Sequence, residues 1–191
     1  MRKHLPFQVF IGLVLAAVFL PLVSALAGPV DEGTQFSYAL PSPDSSKTQA
    51  YLGLKTMGPF KVSNVQAKVV VIELMSSTCP HCQAAAPNMN RLYKLMQTDP
   101  AMAQVKFFAV ALRDNEAGVD TFRKAFKSTY PILLDKDHSL TNSLKGLETP
   151  TTIIVSTASG KILSSHPGEI ESPDGFLKQI NFVKALTAMG Q

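Results

Sequence analysis

From Lys68 to Met75 the chain is almost continuously apolar, with three successive valines at Val69, Val70 and Val71. A run of that kind, without polar alternation, predicts a central strand covered on both faces, as in a parallel sheet. Thr78 and Pro80 then open a helical pattern that turns Ala84, Met89, Leu92 and Leu95 inward and stops before Asp99-Pro100. Val105 to Leu112 predicts a second core strand, and Val119, Phe122 and Phe126 mark the inner face of another helix. A short strand at Ile132 to Leu134, a short helix at Ser139 to Leu144 and a β-branched strand at Thr151 to Ser156 follow. After a turn at Ala158-Ser159-Gly160 comes a strand over Lys161 to Ser164. A last helix starts with Ser172 as N-cap and Pro173 at the first helical position and runs to about Met189. Strand and helix alternate throughout, which predicts an α/β sandwich with a mostly parallel sheet and an antiparallel hairpin at its end.

The pattern is weaker upstream. Tyr51 to Leu54 and Phe60 to Val62 suggest a hairpin around Met57-Gly58-Pro59, and Gly28 to Gln49 is rich in Pro, Ser and Asp, as expected of a segment that trails over the surface. The first residues read as an export signal, with Arg2 and Lys3, an apolar stretch from Phe7 to Leu20, and the small-residue site Ala25-Leu26-Ala27. An uncleaved membrane anchor is the alternative, because the stretch is borderline for a span of roughly 20 residues. The chain thus divides into a signal peptide or anchor at 1–27, a polar N-terminal extension at 28–49, and one folded domain at 50–191. The expected location is periplasmic or otherwise extracytoplasmic, secreted or tethered to the membrane.

Charge narrows the partners. The formal net charge is +4, two of those charges belong to Arg2 and Lys3, and lysines such as Lys61, Lys68, Lys124 and Lys127 are scattered. No basic run points to nucleic acid.

The candidate chemistry lies at Cys79-Pro80-His81-Cys82, the only cysteines in the chain. Two cysteines three residues apart close too small a loop to serve as a structural staple. Cys79 falls at the strand-to-helix junction, where backbone N–H groups and the positive helix end favour a thiolate, so it reads as the nucleophile. Cys82, one turn on and shielded by that turn, reads as the resolving thiol that attacks a mixed disulfide at high effective concentration. Pro80 fixes the backbone at the helix start. His81 adds a donor, cationic when protonated, that favours the thiolate. A zinc site would need two more ligands, and His138 and His166 have neither the spacing nor a partner cysteine. Haem attachment fails because Gln83 follows Cys82. Neither metal nor cofactor is expected.

From about Lys68 to Leu186 the sequence resembles the thioredoxin superfamily, through Val69 to Met75 leading into the Cys-Pro-His-Cys motif, Pro87 in the next helix, and Thr149-Pro150-Thr151-Thr152 before the following strand. The resemblance implies a thioredoxin-like fold, with a central mixed sheet flanked by helices. It also implies a cis Pro150 beside the two sulfurs, with Thr149 offering its backbone to an extended substrate. The motif, with Glu73 six residues before Cys79, is similar to that of the oxidase DsbA. The segment Phe122 to Leu144 before Thr149 resembles instead the extra helix and strand of the TlpA and ResA group. That group commonly carries an acid three residues after the second cysteine, where this chain has Ala85. Glu73, in an otherwise apolar strand, is expected to have a raised pKa suited to taking the proton of Cys82; the alternative is a carboxylate satisfied by Lys106 or water. The resemblance implies a thiol-disulfide oxidoreductase with protein thiols or disulfides as substrates and a membrane or envelope redox partner, acting as an oxidase or isomerase. A TlpA/ResA-like reductase for cytochrome c maturation is the alternative. Weaker alternatives are a peroxiredoxin-like peroxidase, from Ser76-x-x-Cys79, and a Cu(I) protein using Cys79, Cys82 and His81 or Met75.

Overall fold

The computed structural model describes residues 28–189; the signal peptide or anchor expected at 1–27 lies outside the described residues. Strand β1 (Val69–Met75) is buried at all seven positions, as its unbroken apolar run requires. It pairs in parallel with β2 (Val105–Ala111), and β2 pairs in parallel with β3 (Ile132–Leu134). On the other side β1 pairs antiparallel with β4 (Thr151–Ser156), and β4 with β5 (Ile162–Pro167). The order β3-β2-β1-β4-β5 places the cysteine-bearing strand end at the centre of the sheet.

Helices cover the sheet unequally. Helix α2 (Pro80–Thr98) and helix α5 (Pro173–Met189) pack on one face, with α3 (Glu116–Phe126) at the flank. The buried positions of α2 are Cys82, Ala85, Ala86, Met89, Leu92 and Met96. Of the expected inner positions Met89 and Leu92 are buried, whereas Ala84 is exposed and Leu95 half-buried, because Cys82 sets the phase at i, i+3, i+4 and i+7.

The opposite face is closed by residues expected to lie outside the fold. The segment 28–45 does not trail over the surface. Its backbone joins the β5 end of the sheet, with Gly33 N donating to Ile162 O (2.8 Å) and Phe36 N to Gly160 O (2.9 Å). It buries Val30, Phe36 and Leu40 against Val70, Ile72 and Leu74. Three well-spaced hydrophobes in a polar segment carry no periodic signal, yet each finds a slot on an uncovered sheet face.

The expected hairpin at 51–62 is replaced by helix α1 (Ser46–Leu52), capped by the Ser45 hydroxyl on Thr48 N and ended by Gly53 at φ 68°. Phe60 pairs instead with Leu40. Tyr51, on α1, turns its hydroxyl to the backbone of Phe107, accepting from its N–H (3.0 Å) and donating to its carbonyl (3.3 Å). It thereby satisfies the edge of β2 where the three-residue β3 does not reach. The short helix α4 (Ser139–Ser143) begins over the buried carboxylate of Asp135, which accepts from Leu140 N (3.2 Å) and Thr141 N (2.7 Å). No helix among the described residues is long and apolar enough to cross a membrane.

Candidate active site

The strand β1 ends at Met75, and four residues later the chain has turned into α2 with Cys79 as its N-cap and Pro80 at the first helical position. Proline suits that place because its missing N–H is one the helix would leave unpaired. The turn is clamped from outside: Ser77 N and Oγ donate to the two carboxylate oxygens of Asp114 (2.5 Å each), and Gln83 Nε2 donates to Ser77 O (2.8 Å). Gly118 must be small here, since a Cβ would sit 2.7 Å from Asp114 Oδ1 and 2.8 Å from Ser77 Oγ.

The two thiols, both free, occupy opposite environments. Cys79 is partly exposed. Its partial burial alone would raise its pKa, but the Thr149 side chain and the N–H groups of Cys82 and His81 outweigh this and hold the thiol below its ordinary value. Its thiol also donates to the Thr149 carbonyl (3.1 Å), a contact that favours the protonated form and is given up on ionisation. The donors converging on one sulfur at a helix start decide the direction. Cys82 is fully buried, receives only the Ser76 N–H (3.5 Å), and is pushed up to about 12, first by burial and then by the nearby Cys79.

Glu73 lies on β1 on the same face as Cys82, between Ala109 and Thr152 in the register, and is 1 % exposed. Burial pushes its carboxyl up to about 8, against a smaller opposing effect of the Tyr130 hydroxyl. Lys106 does not satisfy it: Lys106 pairs with Val70 on the opposite face and sits over the Tyr51 ring, 4.6 Å from its centroid. The Thr149-Pro150 bond is cis, with Pro150 buried and Thr149 at the sulfurs.

His81 stands apart from the others. Its side chain is 75 % exposed, and Nδ1 lies 2.9 Å from Glu169 Oε1. Glu169, through its hydrogen bond and its charge, raises the imidazole pKa, with only a small contribution from Cys79. The cation is therefore shared with a carboxylate rather than given wholly to the sulfur. Ser76 Oγ pairs with Thr78 Oγ1 (3.2 Å), so the Ser76-x-x-Cys79 spacing does not bring the serine hydroxyl to Cys79.

The structure thus brings Cys79, Cys82, Thr149 and Pro150 together, sets Glu73 on the same face of the sheet as Cys82, and leaves Pro80 and His81 at the rim. Sequence reasoning missed Asp114, Glu169 and Tyr130. Their signals are long-range: Asp114 meets Ser77 across 37 positions and Glu169 meets His81 across 88. Among the described residues no group of three or more His, Cys, Asp and Glu could hold a metal ion. Chemically, the arrangement offers one activated sulfur at the surface, a second held as a thiol beneath it, and a buried carboxyl on the sheet face that the second packs against.

The model of the AhpC/TSA family matches residues 43–164. A relative, the thiol-disulfide oxidoreductase ResA of Geobacillus thermodenitrificans, is 25% identical over 114 residues, covering 60% of this chain and 63% of that protein. The chain spans less than two thirds of the length of the curated relatives it matches. Among solved structures, StoA from Bacillus subtilis aligns with a TM-score of 0.51 at 24% identity, covering 59% of this chain and 82% of StoA. A thiol:disulfide interchange protein of the thioredoxin family from Chlorobium tepidum aligns at 0.55 and 16% identity, covering 83% and 98%. The fold is thioredoxin-like, a mixed five-stranded sheet flanked by helices.

Proposed function

This chain belongs to the AhpC/TSA family, and on that premise we propose that it is a thiol-disulfide oxidoreductase acting on protein thiols or disulfides outside the cytoplasm. The observation that carries the reading is the split between the cysteines. Cys79, at the head of α2, is lowered and reachable; Cys82, one turn below, is raised to about 12 and sealed off. Cys79 then attacks a partner disulfide, or in the oxidised protein is attacked by a partner thiol, and Cys82 closes or reopens the internal disulfide. Glu73 takes the proton of Cys82 as it attacks and returns it when Cys82 leaves. Thr149, next to Pro150, holds an extended partner segment beside Cys79. Pro80 orients the first turn, and His81 adjusts the field at its rim.

The apolar stretch at Phe7 to Leu20 supports export, followed by cleavage or retention as a tether to a membrane-side redox partner. The lowered Cys79 stabilises the reduced form and supports oxidation or isomerisation of substrates. A reductase is the second reading, favoured by the His81–Glu169 pair, which draws the imidazolium away from the sulfur, and by the resemblance to ResA. A peroxidase is less well supported, because the Ser76 hydroxyl is turned to Thr78. Trapping tests the assignment of roles: Cys82→Ala should accumulate a mixed disulfide through Cys79, and Cys79→Ala none. Equal trapping by both variants would remove it. Equilibration with glutathione buffers separates the directions, with a potential of roughly −180 to −120 mV expected of an oxidase or isomerase and one below about −250 mV of a reductase.

A further inference from the structure

Among the described residues, three buried side-chain oxygens lack a hydrogen-bond partner: Glu73 Oε2, Tyr130 Oη and Ser128 Oγ. Leaving such a group unpaired costs about 1–3 kcal/mol. None of the three is hydrogen-bonded to another, but both the Glu73 carboxylate and the Ser128 hydroxyl lie close enough to act on the Tyr130 hydroxyl. In the sheet register Glu73 stands beside Ala109, and Ala109 beside Ile132. The single methyl of Ala109 leaves room on that face between Glu73 and the residue two places before Ile132, which is Tyr130. The Tyr130 ring is held against Phe107 (centroids 5.2 Å apart) and Tyr93 (6.3 Å), inside the core that contains Cys82. Burial, the Glu73 carboxylate and Cys82 all raise the pKa of its hydroxyl, and the Ser128 hydroxyl opposes them, so Tyr130 stands between the two other unpaired oxygens. Ser128 is half-buried between exposed Lys127 and Thr129. That loop is pinned to α2 by Asn90, which donates to Phe126 O (2.9 Å) and accepts from Thr129 N (3.2 Å). Asn90 lies about two helical turns along α2 from Cys82.

We propose that Glu73, Tyr130 and Ser128 form a proton route from the buried Cys82 thiol to solvent at the flank between α2 and α3, away from the mouth where a partner protein sits. The inference rests on the reading of Cys82 as the resolving thiol and Glu73 as its base. A partner joined to Cys79 covers the mouth, so the proton of Cys82 needs another exit. In the resolving step the S–H proton passes to the Glu73 carboxylate, the Cys82 thiolate attacks Cys79 Sγ, and the Cys79–Cys82 bond forms. The bond from Cys79 to the partner breaks, and the partner leaves with the electron pair and is protonated by solvent. Glu73 then passes its proton to Tyr130 Oη while the Tyr130 O–H proton moves to Ser128 Oγ, itself buried but flanked by exposed Lys127 and Thr129, and leaves for solvent as water reaches that loop. Tyr130 stays a neutral hydroxyl on both sides of the hop. In the reverse direction the same atoms return a proton to the leaving Cys82 thiolate, a poor leaving group without one. Tyr130 and Ser128 are positioning residues that act through Glu73.

The experiment uses a short cysteine peptide joined through a disulfide to thionitrobenzoate. Attack by Cys79 releases the coloured thiolate in a first phase, and resolution by Cys82 releases a fluorescent peptide in a second. Tyr130→Phe keeps the ring and should slow the second phase about tenfold while leaving the first unchanged, and Ser128→Ala, at a half-buried position tolerant of change, should slow it severalfold. In a Glu73→Gln background Tyr130→Phe should add nothing further, a non-additivity that a merely structural role would not produce. The route is overturned if both hydroxyl variants resolve at the wild-type rate, or if Tyr130→Phe slows resolution equally in both backgrounds. If Glu73→Gln alone resolves at the wild-type rate, the base reading fails first and the route with it.

Discussion

The two faces of the sheet use the same strand for different ends. Val70, Ile72 and Leu74 of β1 point into a core closed by Val30, Phe36, Leu40 and Leu52, where the clustered side chains are apolar. Val69, Val71, Glu73 and Met75 point to the face under α2, which also holds Cys82 and Tyr130. Each face contributes a buried carboxylate, and the two differ in kind. Asp135, beside the first core, gives both oxygens to backbone N–H donors of α4 and is part of the scaffold. Glu73, in the second, keeps an oxygen without a partner and is held near neutrality at a cost to the fold. Both faces are closely packed, and the one under α2 also holds a carboxyl oxygen without a partner.

The largest expected effect breaks the apolar face alone. Phe36→Ala should cost about 3–5 kcal/mol in chemical denaturation, as for truncation of a buried aromatic, while the reduction potential stays at its wild-type value. Wild-type stability in that variant would mean that the N-terminal segment only decorates the domain.

Glu73→Gln should act in the opposite sense. The folded carboxyl titrates at about 8 against 4.5 when unfolded, so the native state retains a proton that the unfolded chain releases, and wild-type stability falls as pH rises through that window. The variant has no such loss. Its advantage should grow from about pH 4.5 by about 1.4 kcal/mol per pH unit and level off above about pH 8, read from denaturation midpoints across pH. Asp135→Asn should instead lose about 1–2 kcal/mol, since an amide cannot accept both N–H bonds equally well. Equal signs for the two variants would erase the distinction between the carboxylates.

Smaller effects sharpen the active face. Gly118→Ala should push Asp114 from Ser77 and destabilise the turn by about 1 kcal/mol, seen as a changed alkylation rate of Cys79. Glu169→Gln should return the His81 pKa toward 6.5, measured by NMR titration, with no change in the melting temperature because the pair is exposed. A fall in stability there would show that the contact braces the loop rather than tuning the histidine.

The amino-acid sequence by itself determined the central strands, the long helices and the unequal environments of Cys79 and Cys82. Those features are local: a run of valines, a proline at the first helical position, and two sulfurs one turn apart on a single helix. It also exposed Glu73, because one acid in an apolar strand is legible without knowing its neighbours. Only the tertiary structure decided that residues 28–45 complete the core, that His81 belongs to Glu169, and that Tyr130 stands beside Glu73. Each depends on segments far apart in the chain meeting at a sheet edge or across a loop, and no periodicity records such a meeting. An isolated Phe36 or Tyr130 reads as an ordinary aromatic until the sheet provides the face that buries it.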